Sequence, residues 1–193
     1  SISAASNNNL IGGTTAAARN IFSGNGPWCC TGVYVDNSTG NTIQGNYIGT
    51  DVTGTVRIPN RFGIFFRGVT NTTIGGTAIG AGNLISGNDE HGIGFEYSTH
   101  NTIQGNYVGL NAAGTASIFN GENTNFPAIR FDIGSNYNTV GGATAGARNV
   151  ISGNTAHGLW ITNSHQNTFK GNYIGTNAAG TAAIGNWWGF VLV

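Results

Sequence analysis

Apolar and polar residues alternate in short runs along the whole chain, and Gly or Asn separates one run from the next. Runs such as VYVD at 33–36 and NYIGT at 46–50 have about four to six residues, the length of β-strands rather than of helices. A period of two places successive side chains on opposite faces of a strand. No stretch keeps a period of 3.6 residues, so the pattern predicts an all-β fold.

The runs belong to an internal repeat. NTIQGNYIGT at 41–50 returns as NTIQGNYVGL at 101–110 and as NTFKGNYIGT at 167–176. A second motif, NTTIGGTAIGAGNLISGN at 71–88, has counterparts at 8–25 and 138–154. The repeat predicts three units, at about 7–70, 71–137 and 138–193, within a single domain that spans 1–193.

Each unit holds six strand-like runs, which divide into two coils of three strands. We name the three strand types A (NYIGT, NVISGN), B (GIFFR, GLWIT) and C (NTIQG, NTIGG). Strands of one type stack coil on coil as a parallel sheet, about 4.8 Å apart. The sequence thus predicts a parallel β-helix, a solenoid of about six coils, and the general preference for right-handed crossovers predicts its hand.

The stacking predicts inward columns and polar corners. The expected inward residues are Phe22, Ile48, Ile85, Val108, Ile151 and Ile174 on strand A and Ile43, Ile74, Ile103, Val140 and Phe169 on strand C. Strand B contributes two per coil, such as Ile64 with Phe66. Asn recurs before every A strand (20, 46, 83, 106, 149, 172) and before C strands (41, 71, 101, 138, 167). Stacked amides both donate and accept hydrogen bonds, so these residues predict asparagine ladders.

The phrases NTIGG, AGARNVISGN, NTIQGNYIGT and NAAGTAAIGN resemble the right-handed parallel β-helix repeats of the pectin-lyase-like superfamily. They look most like the repeat regions of secreted and surface proteins of bacteria. The resemblance covers essentially the whole chain and implies an extracellular or cell-surface location. That superfamily includes polysaccharide lyases, glycoside hydrolases, tailspikes and adhesins, so the resemblance fixes no catalytic residue. Because the repeat begins and ends within a unit, we expect a segment of a longer repeat protein.

The charge and composition of the chain exclude some classes of binding partner. Only 7% of the residues are charged, and seven basic residues balance seven acidic ones, which gives no electrostatic case for binding nucleic acid. No apolar run is long enough to insert into a membrane. Cys29 and Cys30 are adjacent, and we expect two thiols in a loop. Without a cluster of ligands, no metal or other cofactor is expected.

The outward residues of strand B carry the candidate chemistry. They form two columns: Tyr34, Phe65, Gly94, Arg130, Trp160 and Val191, and Asp36, Arg67, Glu96, Asp132, Thr162 and Val193. One interpretation is a charge ladder in which Arg67 lies between Asp36 and Glu96, with Arg130 diagonal to Glu96. The other is a saccharide groove: Tyr34, Phe65 and Trp160 stack on sugar faces, and Arg67 and Arg130 hold a carboxylate.

Within that groove, Glu96 and Asp132 would be adjacent carboxylates, at about the separation that retaining glycosidases use. A β-elimination would instead need a base and an anion-neutralising group, a role that Arg130 could take. Pairs at this separation arise easily in any charge ladder, so a non-catalytic face is the favoured interpretation. The segment GENTNFPAIRFD at 121–132 is longer than its counterparts and places a loop beside this face.

Strand A has an outward column of its own: Ile21, Tyr47, Leu84, Tyr107, Val150 and Tyr173. Two long loops flank this strand in alternate coils, and we predict that they fold over it. The alternative is an exposed row of tyrosines about 10 Å apart, which would match a disaccharide repeat. The cover is favoured, because exposed apolar stripes of this length are unusual.

Three smaller motifs are interpreted structurally. TDVTGT at 50–55 suggests a calcium loop, but Asn replaces its only carboxylate in the other copies, so it is a turn. DEHG at 89–92 predicts a solvated turn, with His157 at the same corner one unit later. A threonine column on strand C suggests ice binding, yet its partner column is too irregular for that function.

Two functional hypotheses follow. The first is a non-catalytic structural or adhesive β-helix segment, able to stack on itself through open solenoid ends. The second is a polysaccharide-binding or polysaccharide-degrading β-helix, a lyase or glycoside hydrolase that uses the strand B face. The near-identity of the repeats favours the first.

Overall fold

In the computed structural model, which describes residues 6–26, 30–122 and 126–193, the strands form three parallel sheets of six strands each. The chain visits the sheets in the order C, A, B and climbs one coil with each circuit. The right-handed parallel β-helix of six three-stranded coils predicted from the sequence is confirmed. No helix in the described ranges is long and apolar enough to cross a membrane.

Sheets C and A are built from short strands. Sheet C contains β1 (Leu10–Gly12), β4 (Thr42–Gln44), β7 (Thr73–Gly75), β10 (Thr102–Gln104), β13 (Thr139–Gly141) and β16 (Thr168–Lys170). Sheet A contains β2 (Ile21–Phe22), β5 (Tyr47–Ile48), β8 (Leu84–Ile85), β11 (Tyr107–Val108), β14 (Val150–Ile151) and β17 (Tyr173–Ile174). Two short 3₁₀ turns, Ala16–Ala18 and Ala145–Ala147, lie in the loops that lead from sheet C to sheet A.

Sheet B has the longest strands and therefore the broadest outer face. It contains β3 (Thr31–Asp36), β6 (Phe62–Arg67), β9 (Ile93–Glu96), β12 (Ile129–Asp132), β15 (His157–Ile161) and β18 (Trp188–Leu192). Its register pairs Tyr34 with Phe65, Phe65 with Gly94, Arg130 with Gly94 and Trp160 with Arg130. Neighbouring residues of the first predicted outward column are thus paired across adjacent strands, each strand forming one rung of the sheet.

The core is an aliphatic stack with an aromatic spine. The predicted inward residues from 48 to 151 on sheet A and from 43 to 140 on sheet C are fully buried, whereas Phe22, Phe169 and Ile174 are partly buried and pack against the same core. On sheet B the inward rings of Phe95 and Phe131 stack, with centroids 4.6 Å apart and planes 4° apart. Phe66 meets Phe95 edge-on at 5.3 Å, which extends the spine by a coil.

Asparagine ladders close the corners. Before sheet A, each Asn from 20 to 149 in the predicted set donates Nδ2–H to the Oδ1 of the next Asn, the last acceptor being Asn172, at 2.9–3.2 Å. Before sheet C, Asn9, Asn41, Asn101, Asn138 and Asn167 occupy the ladder. These bonds satisfy groups that no water reaches, since Asn46, Asn106 and Asn149 are fully buried.

One rung was predicted wrongly. Asn71 is exposed, with a φ of 50°, and Thr72 takes the ladder position. The Thr72 hydroxyl accepts from the backbone N–H of Asn41 at 3.2 Å, and the Thr72 backbone N–H donates to Asn101 Oδ1 at 3.0 Å. Because NTTIGG has one residue more than NTIQG before the apolar position, Thr72 rather than Asn71 aligns with Asn41.

A third ladder, between sheets A and B, was not predicted. Its members are Asn25, Asn60, Asn88, Asn120, Asn154 and Asn186, joined by Nδ2–H to Oδ1 bonds of 2.8–3.0 Å. The signal was present in the sequence: Asn ends SGN in one coil and IPN, IFN or IGN in the next. All three corners of the helix therefore use the same amide chemistry.

Candidate functional site

The outer face of sheet A is covered in part, as predicted: Leu84 and Val150 are buried and the tyrosines are half-buried, whereas Ile21 in the first coil is 40% exposed. Leu84 and Val150 are 3% and 2% exposed although both point away from the core. Ala112 N–H donates to Gly54 O, and Ala178 N–H to Gly114 O, both at 2.9 Å, so the loops that follow alternate A strands bond to one another above the sheet. From the opposite side, Arg19 lies 3.9 Å above the Tyr47 ring and Arg148 lies 4.0 Å above the Tyr173 ring.

The outer face of sheet B is open and lined with rings. Tyr34, 55% exposed, stacks with Phe65 at a centroid distance of 6.2 Å and an interplanar angle of 12°. Phe62 lies 5.3 Å from Phe65 and 5.7 Å from the ring of His91. Gly94 interrupts the column, and a Cβ placed there would meet the Phe65 ring at 2.8 Å. The missing side chain lets Phe65 lean over the strand and leaves a cleft beside it.

Two adjoining clefts occupy this face and share Arg130. The first, of about 150 Å³, is bordered by Phe62, Phe65, Glu90, His91, Gly94, Phe95, Glu96, Phe126, Arg130 and Asp132. The second, of about 190 Å³, is bordered by Pro127, Arg130, His157 and Trp160. We call the two together the sheet B groove. The structure brings Phe65, Glu96, Arg130, Asp132 and Trp160 of the predicted site to the groove, whereas Tyr34 and Arg67 flank it along the sheet.

The carboxylates and arginines do not form the predicted ladder. Arg67 is in register between Asp36 and Glu96, but in the described part of the chain it makes no ion pair within 4.0 Å. Arg130 pairs with Asp132, two residues along its own strand, rather than diagonally with Glu96. Asp132 also accepts from the N–H of Ile133 at 2.9 Å. Both oxygens of this carboxylate are therefore engaged.

Two polar atoms of the groove are buried without a partner among the described residues. They are Arg130 Nε and His157 Nδ1, and both residues border the second cleft. The Trp160 indole stacks on the His157 ring, with centroids 5.0 Å apart. Desolvation lowers the pKa of His157, so its imidazole is neutral at pH 7 and offers a lone pair or an N–H. A hydroxylated ligand lying on Trp160 would bring the partners that these atoms lack.

The 89–92 corner is not a solvated turn, contrary to expectation. His91 is 2% exposed, and its Nδ1 lies 2.9 Å from the Pro127 carbonyl. Burial lowers the pKa of His91 to about 4. Asp89 and Glu90 pair with Arg57 and Arg61. The segment at 121–132 explains the burial, because Phe126 packs edge-on against His91 at 5.3 Å; residues 123–125 lie outside the described part.

Two further expectations concern loops. Asp51 accepts hydrogen bonds from its own turn, from Thr53 Oγ1 and from the N–H groups of Thr55 and Val56, and these bonds lower its pKa to about 2; the predicted turn is confirmed. Cys30 is disulfide-bonded, so the expectation of a thiol is wrong there. Cys29 lies outside the described residues.

A family model described as "Periplasmic copper-binding protein (NosD)" matches residues 2–188. The chain belongs to the NosD family. NosD proteins are periplasmic parallel β-helix proteins of the pectin-lyase-like type, so the resemblance inferred from the repeats is confirmed. A periplasmic family is compatible with the predicted extracellular or cell-surface location, which is more specific than the family shows. Neither the curated proteins nor the solved structures that were searched gave a match.

The described residues of this NosD-family chain hold no group of three or more His, Cys, Asp or Glu side chains that could bind a metal ion. His91 and His157 border different clefts, and His91 Nδ1 is held by the Pro127 carbonyl. Methionine is absent from the sequence. Soft thioether donors, which favour copper(I), are thus not supplied by this chain.

Proposed function

We propose that the chain is a non-catalytic, adhesive β-helix segment of a protein outside the cytoplasm, and that it binds polysaccharide along the sheet B groove. The observation that carries the proposal is the second cleft, where two buried polar atoms that lack a partner among the described residues flank an indole face. Sugars present apolar C–H faces to aromatic rings and hydroxyls to polar groups at the ring edges. Extracellular or cell-surface placement belongs to the same proposal.

The spacing of the rings supports a chain ligand rather than a single sugar. Tyr34 and Phe65 occupy neighbouring rungs, and Trp160 lies three rungs beyond Phe65, which is about 14–15 Å at the usual strand spacing. An extended oligosaccharide of about three residues would reach from Phe65 to Trp160. Arg130 lies between them, so a carboxylate on the central sugar would meet a guanidinium.

A non-catalytic role is favoured because Asp132 is already committed. A general base or nucleophile needs a free oxygen directed at the substrate. Asp132 is bound by Arg130 and by a backbone N–H, which leaves Glu96 without an available carboxylate partner at that separation. The family description names copper, but the donor set of the described residues does not fit a copper site, so no step of the proposal involves one.

Affinity electrophoresis against a panel of neutral and uronate-containing polysaccharides tests the proposal. The unsubstituted chain should be retarded by at least one member, and Trp160→Ala should weaken that retardation about two- to tenfold, the range expected for the loss of one ring contact. Tyr137→Ala is the control, because this ring is 50% exposed and stacks on His100, outside the groove. The Glu96→Gln, Asp132→Asn double variant should bind, and the unsubstituted chain should release no new reducing or unsaturated ends. Turnover that this double variant abolishes would establish an enzyme instead.

End-to-end stacking is a second candidate, and the polarity of the ladders favours it. Every side-chain rung runs in one direction, from Nδ2–H of one coil to Oδ1 of the next. Two segments placed head to tail would continue all three ladders without a reversal. Light scattering over a concentration series tests the idea: growth into fibres one β-helix wide would support it, and a monodisperse monomer would reject it.

A further inference from the structure

The loops that cover sheet A differ at one place. In the first and third repeats the residue before the ladder Asn is an arginine, Arg19 or Arg148, and its guanidinium lies on the tyrosine of the next coil. In the middle repeat the equivalent residue is Gly82, and the equivalent tyrosine is Tyr107. Tyr107 thus has no arginine of its own from this loop.

A cavity of about 330 Å³ lies at the position of the missing arginine. It is bordered by Arg19, Tyr47, Gly80, Gly82, Asn83, Leu84, Gly105, Tyr107 and Ala112. The equivalent arginine in the third repeat, Arg148, donates from Nε to the carbonyl of Gly171 at 3.2 Å. The corresponding carbonyl in the middle repeat is that of Gly105, which borders the cavity. The two groups that Arg148 contacts in the third repeat, a tyrosine ring and a glycine carbonyl, thus have counterparts beside this cavity in Tyr107 and Gly105.

The chain cannot fill this cavity from position 82. A Cβ placed on Gly82 would lie only 1.9 Å from the Gly105 carbonyl oxygen. The 3₁₀ turns of the other two loops, Ala16–Ala18 and Ala145–Ala147, have no counterpart at 79–81, where Gly80 has a φ of 81°. The middle loop thus runs closer to the sheet than its counterparts.

We propose that this cavity, the Tyr107 pocket, is a binding site for a guanidinium group supplied from outside the chain. The other two repeats indicate the ligand. In them the equivalent position is occupied by a guanidinium group, 3.9 Å from the centroid of the Tyr47 ring or 4.0 Å from that of the Tyr173 ring. Arg19 also borders the pocket and is a cation. Its guanidinium lies over the Tyr47 ring, on a strand two rungs, or about 10 Å, from the strand of Tyr107.

NMR titration of the ¹⁵N-labelled chain with N-acetyl-arginine amide tests the proposal. The amide signals of Gly82 and Gly105 and the ring signals of Tyr107 should shift saturably, with a dissociation constant on the order of 10–100 mM for a single cation–π site. N-acetyl-lysine amide should bind more weakly, since it lacks the planar face, and acetate should not bind. Saturable shifts with acetate alone would overturn the assignment and make Arg19 an anion site.

Three variants sharpen the test. Tyr107→Phe should keep the affinity within about threefold, whereas Tyr107→Ala should lose at least tenfold. Arg148→Ala should open a second, equivalent site on Tyr173 and raise the stoichiometry from one to two. An unchanged stoichiometry in folded Arg148→Ala, or unchanged binding in Tyr107→Ala, would refute the proposal. Free arginine that binds more than tenfold tighter than the blocked amide would identify a small-molecule site; equal binding would identify an arginine side chain of a partner protein.

Discussion

Sheets A and B carry outward columns of similar apolar character, yet loops cover sheet A beyond its first coil, whereas the face of sheet B is open. On sheet A, Leu84 is 3% exposed under loops that bond to one another across coils. On sheet B, Tyr34 is 55% exposed, and the residues from Phe65 to Trp160 border the groove. The loops that flank sheet A are long in alternate coils, whereas the turns between sheets B and C are short throughout.

The contrast shows where this fold has room for function. The corners and the core are constrained by ladders and inward stacks that repeat in every coil. The outward residues are not constrained by the hydrogen bonds of the ladders, so they can differ from coil to coil. They differ most on sheet B, where Gly94, Arg130 and Trp160 occupy successive rungs. Truncating an outward side chain should therefore lower the free energy of unfolding more on the covered face of sheet A than on the open face of sheet B.

Removing a covered outward side chain should have the largest effect. Leu84→Ala should lower the free energy of unfolding by roughly 3–4 kcal/mol, because it leaves a cavity under the loops. Phe65→Ala, at an outward position of sheet B, should cost less than about 1.5 kcal/mol. Urea denaturation monitored by circular dichroism measures both. Equal losses would show that the two faces are packed alike.

Acidification should weaken the sheet B side through His91. Its pKa in the folded chain is lowered to about 4, against an ordinary value near 6.5, so the unfolded chain binds more protons between these values. Stability should be full above about pH 6.5 and should fall by roughly 2–3 kcal/mol as the pH drops to about 4. Thermal melts across this range measure the decline. The His91→Phe variant should lose this component, and the exposed His100→Phe should retain it.

Lifting a covering loop should have a smaller effect. Gly54 has a φ of 66°, and a Cβ there would meet Leu84 Cδ2 at 2.7 Å and Tyr47 Cε2 at 2.9 Å. Gly54→Ala should cost about 1–3 kcal/mol through backbone strain and displaced packing. Hydrogen exchange should accelerate at 51–57 and at the Ala112 amide, which bonds to Gly54. Gly185→Ala, where a Cβ meets no described residue within 4 Å, is the control and should change neither.

Removing an arginine should have the smallest effect and should still distinguish the faces. Arg148→Ala should cost about 0.5–1 kcal/mol, because its guanidinium covers the Tyr173 ring. Arg67→Ala on sheet B should be nearly neutral, since Arg67 is exposed and has no ion pair among the described residues. Chemical denaturation of both variants in parallel gives the comparison.

Three features of the sequence predicted most of the fold: the period of two, the internal repeat and the Asn residues at the corners. They were enough to predict the three sheets, the inward stacks, both outward columns of sheet B and the loops over sheet A. The prediction of Asn71 was wrong because one extra residue in a turn shifts the ladder position without altering the strand. The third ladder was missed because its asparagines end two different motifs, so no single repeated phrase displays them.

The chemistry of the groove was harder to predict than its location. The sequence placed Arg130 and Asp132 on one face but could not show that they pair with each other, because a rotamer rather than a register decides it. The burial of His91 depends on Phe126 and Pro127, which belong to the segment that departs from the repeat. Side chains positioned by an irregular segment carry no periodic signal.

Hydroxyl-radical footprinting of the chain, with and without the polysaccharide that retards it most, tests the central claim most directly. It reports the solvent exposure of individual aromatic side chains on both faces in one experiment. Tyr34, which is 55% exposed, should be oxidised faster than the half-buried Tyr47 in the free chain, and the polysaccharide should selectively protect Phe65 and Trp160. Protection confined to Tyr47, Tyr107 and Tyr173, with the sheet B rings unchanged, would place the binding face on sheet A and contradict it.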